Sequence, residues 1–286
     1  MRGVDHARSG SWPYSRRMPE GHTIHRIARD HSRLLAGRPV RVSSPQGRFA
    51  TDAAVVDGVV LRTIEPNGKH LFYWWDNGAV GHVHLGLFGK FRVHLGAQPS
   101  PPIGMVRMRM STDLATIDLA GPTACSIDTR DERDAIVARL GPDPLRRDAR
   151  PAVAFERIIR SKQPIGALLL DQSVMSGVGN VYRAEALFIT GINPNRQGVQ
   201  CTLPELQALW TTITAMLRKG VKDNRIITVD RRELDMPRSS LQRGRVRRGE
   251  TTYVYHRDLC LRCGTPIQTA ELGGRPCYYC PVCQPA

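Results

Sequence analysis

Two cysteine pairs constrain this chain more than any other feature: Cys260-x2-Cys263 and Cys280-x2-Cys283, with 16 residues between them. Each pair sets two thiols on one tight knuckle. Two such knuckles bring four thiolates to the corners of a tetrahedron, the ligand set of a structural zinc site. A closed set of four leaves no open coordination position, so the metal is expected to hold the fold and take no part in chemistry. We therefore expect one structural Zn2+ ion and a finger over residues 250–286. Of 7 cysteines, 5 lie in the last 27 residues, which fits a local metal site in a reducing compartment better than a disulfide framework. Cys125, Cys201 and Cys277 have no such spacing and are expected to be buried or spare thiols.

Charge sets the next bound. Among 286 residues, 41 Lys and Arg stand against 26 Asp and Glu, a formal net charge of +15, so a polyanionic partner is expected. Nucleic acid and an anionic membrane both qualify by charge. No run approaches the roughly 18 apolar residues of a bilayer span, so a membrane-spanning role is excluded. Residues 1–17 carry Arg2, Arg8, Arg16 and Arg17 but no apolar stretch before a small-residue cleavage site, so they are no secretory signal, and a cytoplasmic location is expected. The same residues are polar and lack apolar periodicity, and read as a disordered extension.

The rest divides by pattern. Ile24, Ile27, Leu34 and Leu35 lie on one face of a helix ended by Gly37 and Pro39. Strand patterns follow at Val59 to Ile64, Leu71 to Trp75, Ala79 to Leu85 and Lys90 to Leu95, separated by turn residues, and further ones at Val106 to Met110 and Thr116 to Leu119. Residues 19–138 thus read as a β-rich domain, sandwich or barrel. Gly141-Pro142-Asp143-Pro144 marks a linker over 139–150, and helical patterns fill 151–249. The clearest helix is Thr202 to Leu217, with a Thr202–Glu205 capping box and Arg218, Lys219 and Gly220 as its stop.

Two segments carry candidate chemistry. Leu168 to Pro194 reads as helix, glycine-punctuated turn and a second helix capped by Asn180; Gly177 and Gly179 allow close backbone approach, and the free N–H groups of the second helix offer an anion site. An ordinary capped junction explains the segment equally well. Gly86-Leu87-Phe88-Gly89 is a turn with two large apolar residues at its tip, suited to insertion into a base stack or to packing into the core.

Met18-Pro19-Glu20-Gly21, Gly68-Lys69-His70, the LGPDPL stretch at Leu140 to Leu145, the helix junction and the cysteine finger occur in this order across residues 18–284. Together they resemble the formamidopyrimidine-DNA glycosylase and endonuclease VIII family. The resemblance implies an α+β chain: an N-terminal antiparallel β-sandwich with flanking helices, a helical domain with a helix-two-turn-helix at about 164–192, and a four-cysteine zinc finger. It implies a base-excision repair enzyme with glycosylase and abasic-site lyase activities, acting as a monomer on damaged double-stranded DNA. Pro19 then matches the N-terminal proline nucleophile, a secondary amine whose attack on the sugar C1′ gives a cationic iminium. Glu20 matches the general acid/base, Lys69 the hairpin lysine that contacts phosphate and assists β-elimination, and Asn180 with Arg275 the pair gripping phosphates beside the lesion. The finger arginine also has a role in δ-elimination. Arg139 is a further candidate phosphate contact, and Leu87 with Phe88 match the residues that fill the gap left by the extruded base.

The sequence also departs from the pattern. As written, Pro19 lies mid-chain, where its nitrogen is an amide without nucleophilicity. Translation from Met18, or removal of residues 1–18, is expected. Thr23 stands where many relatives carry a second glutamate. His22 and His25 are near enough to carry protons, but an i, i+3 pair on a first helix is expected at the surface. No Arg-Arg-Phe loop occurs in 107–125, which favours the endonuclease VIII-like branch and oxidised pyrimidines as substrates. Oxidised or ring-opened purines are the alternative. A catalytically silent DNA-binding zinc-finger protein is a third reading, supported by the Arg238 to Arg248 run.

Overall fold

The computed structural model describes residues 12–13, 19–96, 101–230 and 251–286. The arginine run at 238–248 and most of the segment 1–17 lie outside the described residues.

Among the described residues, 12–13, 19, 27–96 and 101–138 form one unit. Its strands are β1 (Trp12–Pro13), β2 (Arg38–Pro39), β3 (Arg41–Ser43), β4 (Val60–Asn67), β5 (His70–Trp75), β6 (Val80–His84), β7 (Lys90–Leu95), β8 (Val106–Ser111), β9 (Ala115–Ala120) and β10 (Ala124–Asp128). They form two five-stranded antiparallel sheets, β1-β7-β9-β8-β3 and β10-β6-β5-β4-β2. Alternation along the strands explains the sandwich. Leu71, Tyr73 and Trp75 on β5, Phe91 and Val93 on β7, and Met108 and Met110 on β8 turn one face of each strand inward, and Phe72 on the opposite face of β5 is buried as well. The helix α1 (Gly21–Leu35) gives this unit Ile27, His31 and Leu35, all fully buried, and His31 Nδ1 lies 2.9 Å from the Tyr73 hydroxyl. Burial pushes the His31 imidazole down to about 3, so it is a neutral core residue. Two short helices complete the unit, α2 (Ala50–Val56) and α3 (Arg130–Ala138). β10 lay outside the sequence-derived strand set. Its five residues ACSID are all half-buried, so they lack the alternation on which strand recognition depends.

Trp12–Pro13 corrects the expectation of disorder at that point: the two residues pair antiparallel with Arg92 and Val93 of β7. Without them β7 would be an open edge with unpaired N–H and C=O groups, a ready template for an extended segment.

Among the described residues, 20–26, 139–230 and 251–286 form the second unit. The sequence placed all of 19–138 in an N-terminal domain, but the opening turns of α1 join the C-terminal unit. Their polar anchors lie there: the Gly21 N–H donates to the Gly177 carbonyl at 2.7 Å, and the Arg26 guanidinium donates to Val221 and Lys222 carbonyls at 3.1 and 3.0 Å. Helices α4 (Pro151–Ile159), α5 (Ile165–Leu168), α6 (Asn180–Ile189) and α7 (Leu203–Asp223) enclose a core of Phe155, Ile158, Leu168, Leu187, Leu209, Ile213 and Leu217. The hairpin β11 (Gln268–Glu271) and β12 (Pro276–Tyr279) packs against α6 through Leu272 and Cys277.

Two expectations about this unit are corrected. The first helix of the junction ends at Leu168, where the sequence reading began it, and residues 169–179 form the two turns before α6. The capping box starts α7 as expected, with Thr202 N–H donating to Glu205 at 2.8 Å. The helix does not stop at Gly220, however, but runs to Asp223 and ends on left-handed Asn224, φ 53°. Gly220 is a contact point: a Cβ there would lie 2.2 Å from the Tyr182 hydroxyl and 2.9 Å from the His22 ring. The residue admits α6 and the start of α1 against α7, which requires no helix end.

Candidate active site and nucleic-acid interface

The centre of the second unit is the Glu20 carboxylate, 1% exposed. It accepts from the backbone N–H groups of Gly179 and Val181 at 3.0 Å each and from Tyr182 at 3.5 Å. These are the orphan donors that every helix leaves at its N-terminus, where the macrodipole also favours a negative charge. The sequence reading left this site open between an outside anion and an ordinary helix cap. In the fold the anion is the chain's own carboxylate. Gly179 permits the approach, since a Cβ there would sit 2.3 Å from the Glu20 carboxyl carbon.

Asn180 is therefore not the cap. Gly179 takes that position and Asn180 is the first helical residue, 4% exposed. Its amide donates to the Pro276 carbonyl at 3.1 Å and its oxygen accepts from Arg183 at 2.6 Å. Arg183 is fully buried and also donates to the carbonyls of Gly166 and Leu272, at 2.8 Å each, and of Arg275, at 3.0 Å. One guanidinium thus ties the start of α6 to the tip of the β11–β12 hairpin that carries Arg275. Sequence reasoning missed Arg183 and its neighbour Glu185; the available signal was two charged residues inside the otherwise apolar stretch Val181 to Ile189. Glu185, fully buried, accepts from the Tyr253, Val254 and Tyr255 N–H groups at 2.7 to 2.9 Å and from the Thr228 hydroxyl. Burial pushes its carboxyl up, and these bonds draw it back.

His22 and His25 are not surface groups. His22 is 5% exposed, with its ring edge-on to Tyr182, and His25 Nε2 lies 2.7 Å from Asp143 Oδ2. Asp143 belongs to the LGPDPL stretch, whose Gly141 N–H donates to the Gln172 carbonyl at 2.8 Å and whose Pro142 carbonyl accepts from Ser176 at 3.2 Å. The stretch read as a linker is a buckle that holds the two turns of the helix junction.

In the other unit, Lys69 lies on the two-residue turn between β4 and β5, after Gly68 at φ 57°. Leu87 and Phe88 are 55% and 83% exposed, so they do not pack into the core. Arg139 is exposed just after α3 and Arg275 is half-buried.

The cysteine quartet forms as expected. The ligand sulfurs of Cys260, Cys263, Cys280 and Cys283 all lie within 4.8 Å of one another, with separations of 3.5 Å for Cys263–Cys280 and 3.8 Å for Cys260–Cys283. Zn–S bonds of about 2.3 Å give a tetrahedron edge near 3.8 Å, so the residues present fit the ion. Hydrogen bonding to Thr265 draws the Cys263 thiol down to about 6, favouring the thiolate that a metal requires. Cys201 and Cys277 are buried and Cys125 half-buried. Chelation of the metal is expected to unfold the hairpin and loosen the Arg183 anchorage, detectable as loss of DNA binding together with a lower melting temperature and release of one zinc per chain.

A β-sandwich, a helix-two-turn-helix unit and a four-cysteine hairpin make up the described chain, with the carboxylate directly after Pro19 locked into the helix junction, and the matches that follow identify this architecture as that of a DNA glycosylase with lyase activity. Residues 18–133 match the formamidopyrimidine-DNA glycosylase N-terminal domain, 140–231 the H2TH domain of the same enzymes, and 258–286 the zinc finger found in FPG and IleRS. The chain belongs to the formamidopyrimidine-DNA glycosylase and endonuclease VIII family of base-excision repair enzymes, on the endonuclease VIII-like side. It is 50% identical to Endonuclease 8 1 of Mycobacterium tuberculosis over 274 residues, which cover 93% of this chain and 100% of the relative. It is 30% identical to the formamidopyrimidine-DNA glycosylase of Geobacillus kaustophilus, covering 93% and 100%. In fold it is similar to Lactococcus lactis Fpg, solved in complex with DNA containing N7-benzyl-Fapy-dG, with a TM-score of 0.76, 22% identity and coverage of 94% and 100%. Among the described residues no helix is long and apolar enough to cross a membrane. The zinc is structural, because all four positions are protein thiols.

Proposed function

We propose that this enzyme removes oxidised pyrimidines from double-stranded DNA in the cytoplasm, as a monomer, through a Schiff base on Pro19 followed by β,δ-elimination. The observation that carries the reading is the anchoring of Glu20 at the N-terminus of α6. Three backbone donors fix the carboxylate, and with it the backbone of the residue next in the chain to Pro19.

In this reading the Pro19 nitrogen, as a free secondary amine, attacks the sugar C1′. Glu20 delivers a proton to the ring oxygen and returns protons during imine formation. The C1′–base bond breaks and the base leaves. The iminium then acidifies C2′; loss of that proton expels the 3′ phosphate, and a second elimination expels the 5′ phosphate. Lys69 contacts phosphate and assists the first elimination. Arg275 assists the second and, with Asn180, grips the phosphates flanking the lesion, the pair being held together by Arg183. Arg139 adds a phosphate contact. Leu87 and Phe88 fill the gap left by the extruded nucleotide, which their exposure supports. The family pattern matches from residue 18, which supports a working chain that starts at Pro19.

The substrate is tested with duplexes carrying thymine glycol, dihydrouracil or 8-oxoguanine under single-turnover conditions. Faster excision of the two pyrimidines is expected; preference for 8-oxoguanine opposite cytosine would overturn the choice in favour of oxidised purines. A chain that binds all three duplexes and cleaves none would be the silent DNA-binding protein.

A further inference from the structure

The reaction above leaves one contact of α1 unused. His25 lies one turn beyond Gly21 on the same face of the helix, and its Nε2 stands 2.7 Å from Asp143 Oδ2. The Asp143 side chain is fully buried and that of His25 is 13% exposed. A carboxylate taken out of water has to be met by donors. The Leu145 N–H reaches Asp143 Oδ1 at 2.8 Å and the His25 ring reaches Oδ2. With a carboxylate as partner, His25 Nε2 carries the proton and donates it, so this nitrogen serves to hold the ring in place.

From Asp143 a line of hydrogen bonds runs back to Glu20. Two residues earlier, the Gly141 N–H donates to the Gln172 carbonyl at 2.8 Å, and a Cβ on Gly141 would lie 2.4 Å from the Val174 carbonyl oxygen, so this stretch lies directly on the turns of the helix junction. Gln172 Oε1 accepts from the Gly177 N–H at 3.0 Å, while Gln172 Nε2 donates to the Val178 carbonyl at 3.0 Å. The Gly177 carbonyl accepts from the N–H of Gly21, the residue after Glu20, at 2.7 Å. The line leaves α1 at Gly21 and returns to it at His25. All of these groups belong to the second unit.

A helix held only at Gly21 can pivot about that point. An anchor four residues on, about 6 Å along the axis, fixes its direction. Arg26 also reaches backbone carbonyls of this unit, but through a long side chain whose rotamer freedom makes it a looser tether than a ring set against a buried carboxylate. The direction of α1 matters because Pro19 is bonded to Glu20 at its start, and a displacement of about 1 Å in a reacting group can cost about 100-fold in rate.

We propose that His25 is a positioning residue for the Pro19 nucleophile: clamped by Asp143, it sets the direction in which α1 presents the Pro19 nitrogen. The inference rests on the reading of Pro19 as the nucleophile.

The test uses the zinc-loaded chain that starts at Pro19, with protein saturating the DNA. His25→Ala is expected to slow borohydride trapping on abasic DNA and single-turnover excision of an intact lesion by the same factor, about 10- to 100-fold, because both steps need the Pro19 nitrogen in place. Its affinity for a duplex carrying a tetrahydrofuran abasic analogue should stay within about threefold, since no DNA contact is removed. His25→Gln keeps an N–H donor at the end of the side chain and should recover both rates to within about threefold of the unsubstituted chain. Melting temperatures show that both variants are folded under the assay conditions. A contact that serves stability alone would lower the melting temperature of His25→Ala and leave its rates at saturation unchanged. That result overturns the proposal, as does a loss confined to affinity or to one of the two rates, or a glutamine variant no faster than the alanine one. Absence of trapping by the unsubstituted chain would instead sink the reading of Pro19, whereas full trapping by His25→Ala sinks only the role of His25.

Discussion

Glu20→Gln is expected to slow excision of an intact damaged base by a factor on the order of 10^2 to 10^4, the usual worth of a positioned acid–base group. Glutamine keeps the shape of the side chain and one carbonyl oxygen for the N–H groups of Gly179 and Val181. It cannot exchange protons in this range, and its NH2 group is set against donors. The fold should lose about 1–3 kcal/mol, because a buried acceptor site is left poorly matched. A purely structural role would slow every step alike. The discriminating comparison is therefore between an intact lesion and a preformed abasic site, whose sugar is in equilibrium with the open aldehyde and needs no proton on the ring oxygen. Single-turnover excision should collapse while borohydride trapping on the abasic site falls much less; equal losses in both would place Glu20 in the scaffold alone.

The second large effect concerns the nitrogen of Pro19. A chain that begins at Pro19 presents a free secondary amine, with a reference pKa of about 7.7 to 8.0 for an α-amino group and a useful neutral fraction near physiological pH. A chain that keeps residues 1–18 presents a tertiary amide that can form no iminium. Borohydride trapping on abasic DNA should thus be strong for the shorter chain and absent for the longer one, a difference of at least about 100-fold given the effect of removing a covalent nucleophile. Pro19→Gly in the shorter chain should greatly reduce trapping. N-terminal sequencing of the DNA-linked protein reads the answer directly: a blocked first cycle in a chain starting at position 19 is expected, and full trapping by a chain whose first residue is Met1 would exclude the proline.

Much of this molecule was legible before the structure. The zinc ligands followed from spacing because a cysteine knuckle is a local object: the Gly264 N–H closes on the Cys260 carbonyl at 2.9 Å, within four residues. The strands β4 to β9 followed from patterning and turn residues, although they divide between two sheets where a single meander was expected, and the start of α7 followed from a capping box four residues long. Short strands such as β2, β3 and β10 were not legible, since two to five residues carry too little pattern to separate from loops.

The misread positions share one cause. Gly220 has the local signature of a helix end, yet it serves a contact with Tyr182 and His22. Asn180 has the signature of a cap, yet the cap is Gly179, and the charge at the helix end belongs to Glu20, 159 residues from the N–H group of Gly179. Local hydrogen bonding and side-chain alternation, which need only a few neighbouring residues, let the sequence alone determine the zinc ligands and a β-rich first domain; the sandwich and the family followed from the resemblance its ordered motifs carry. Only the tertiary structure decided that the helix N-terminus is filled by the protein's own carboxylate, that His22 and His25 are internal, and that Arg183 binds Asn180 to the arginine hairpin. Those arrangements join segments 89 to 159 residues apart in numbering, and burial, not sequence neighbourhood, sets which polar groups must find one another.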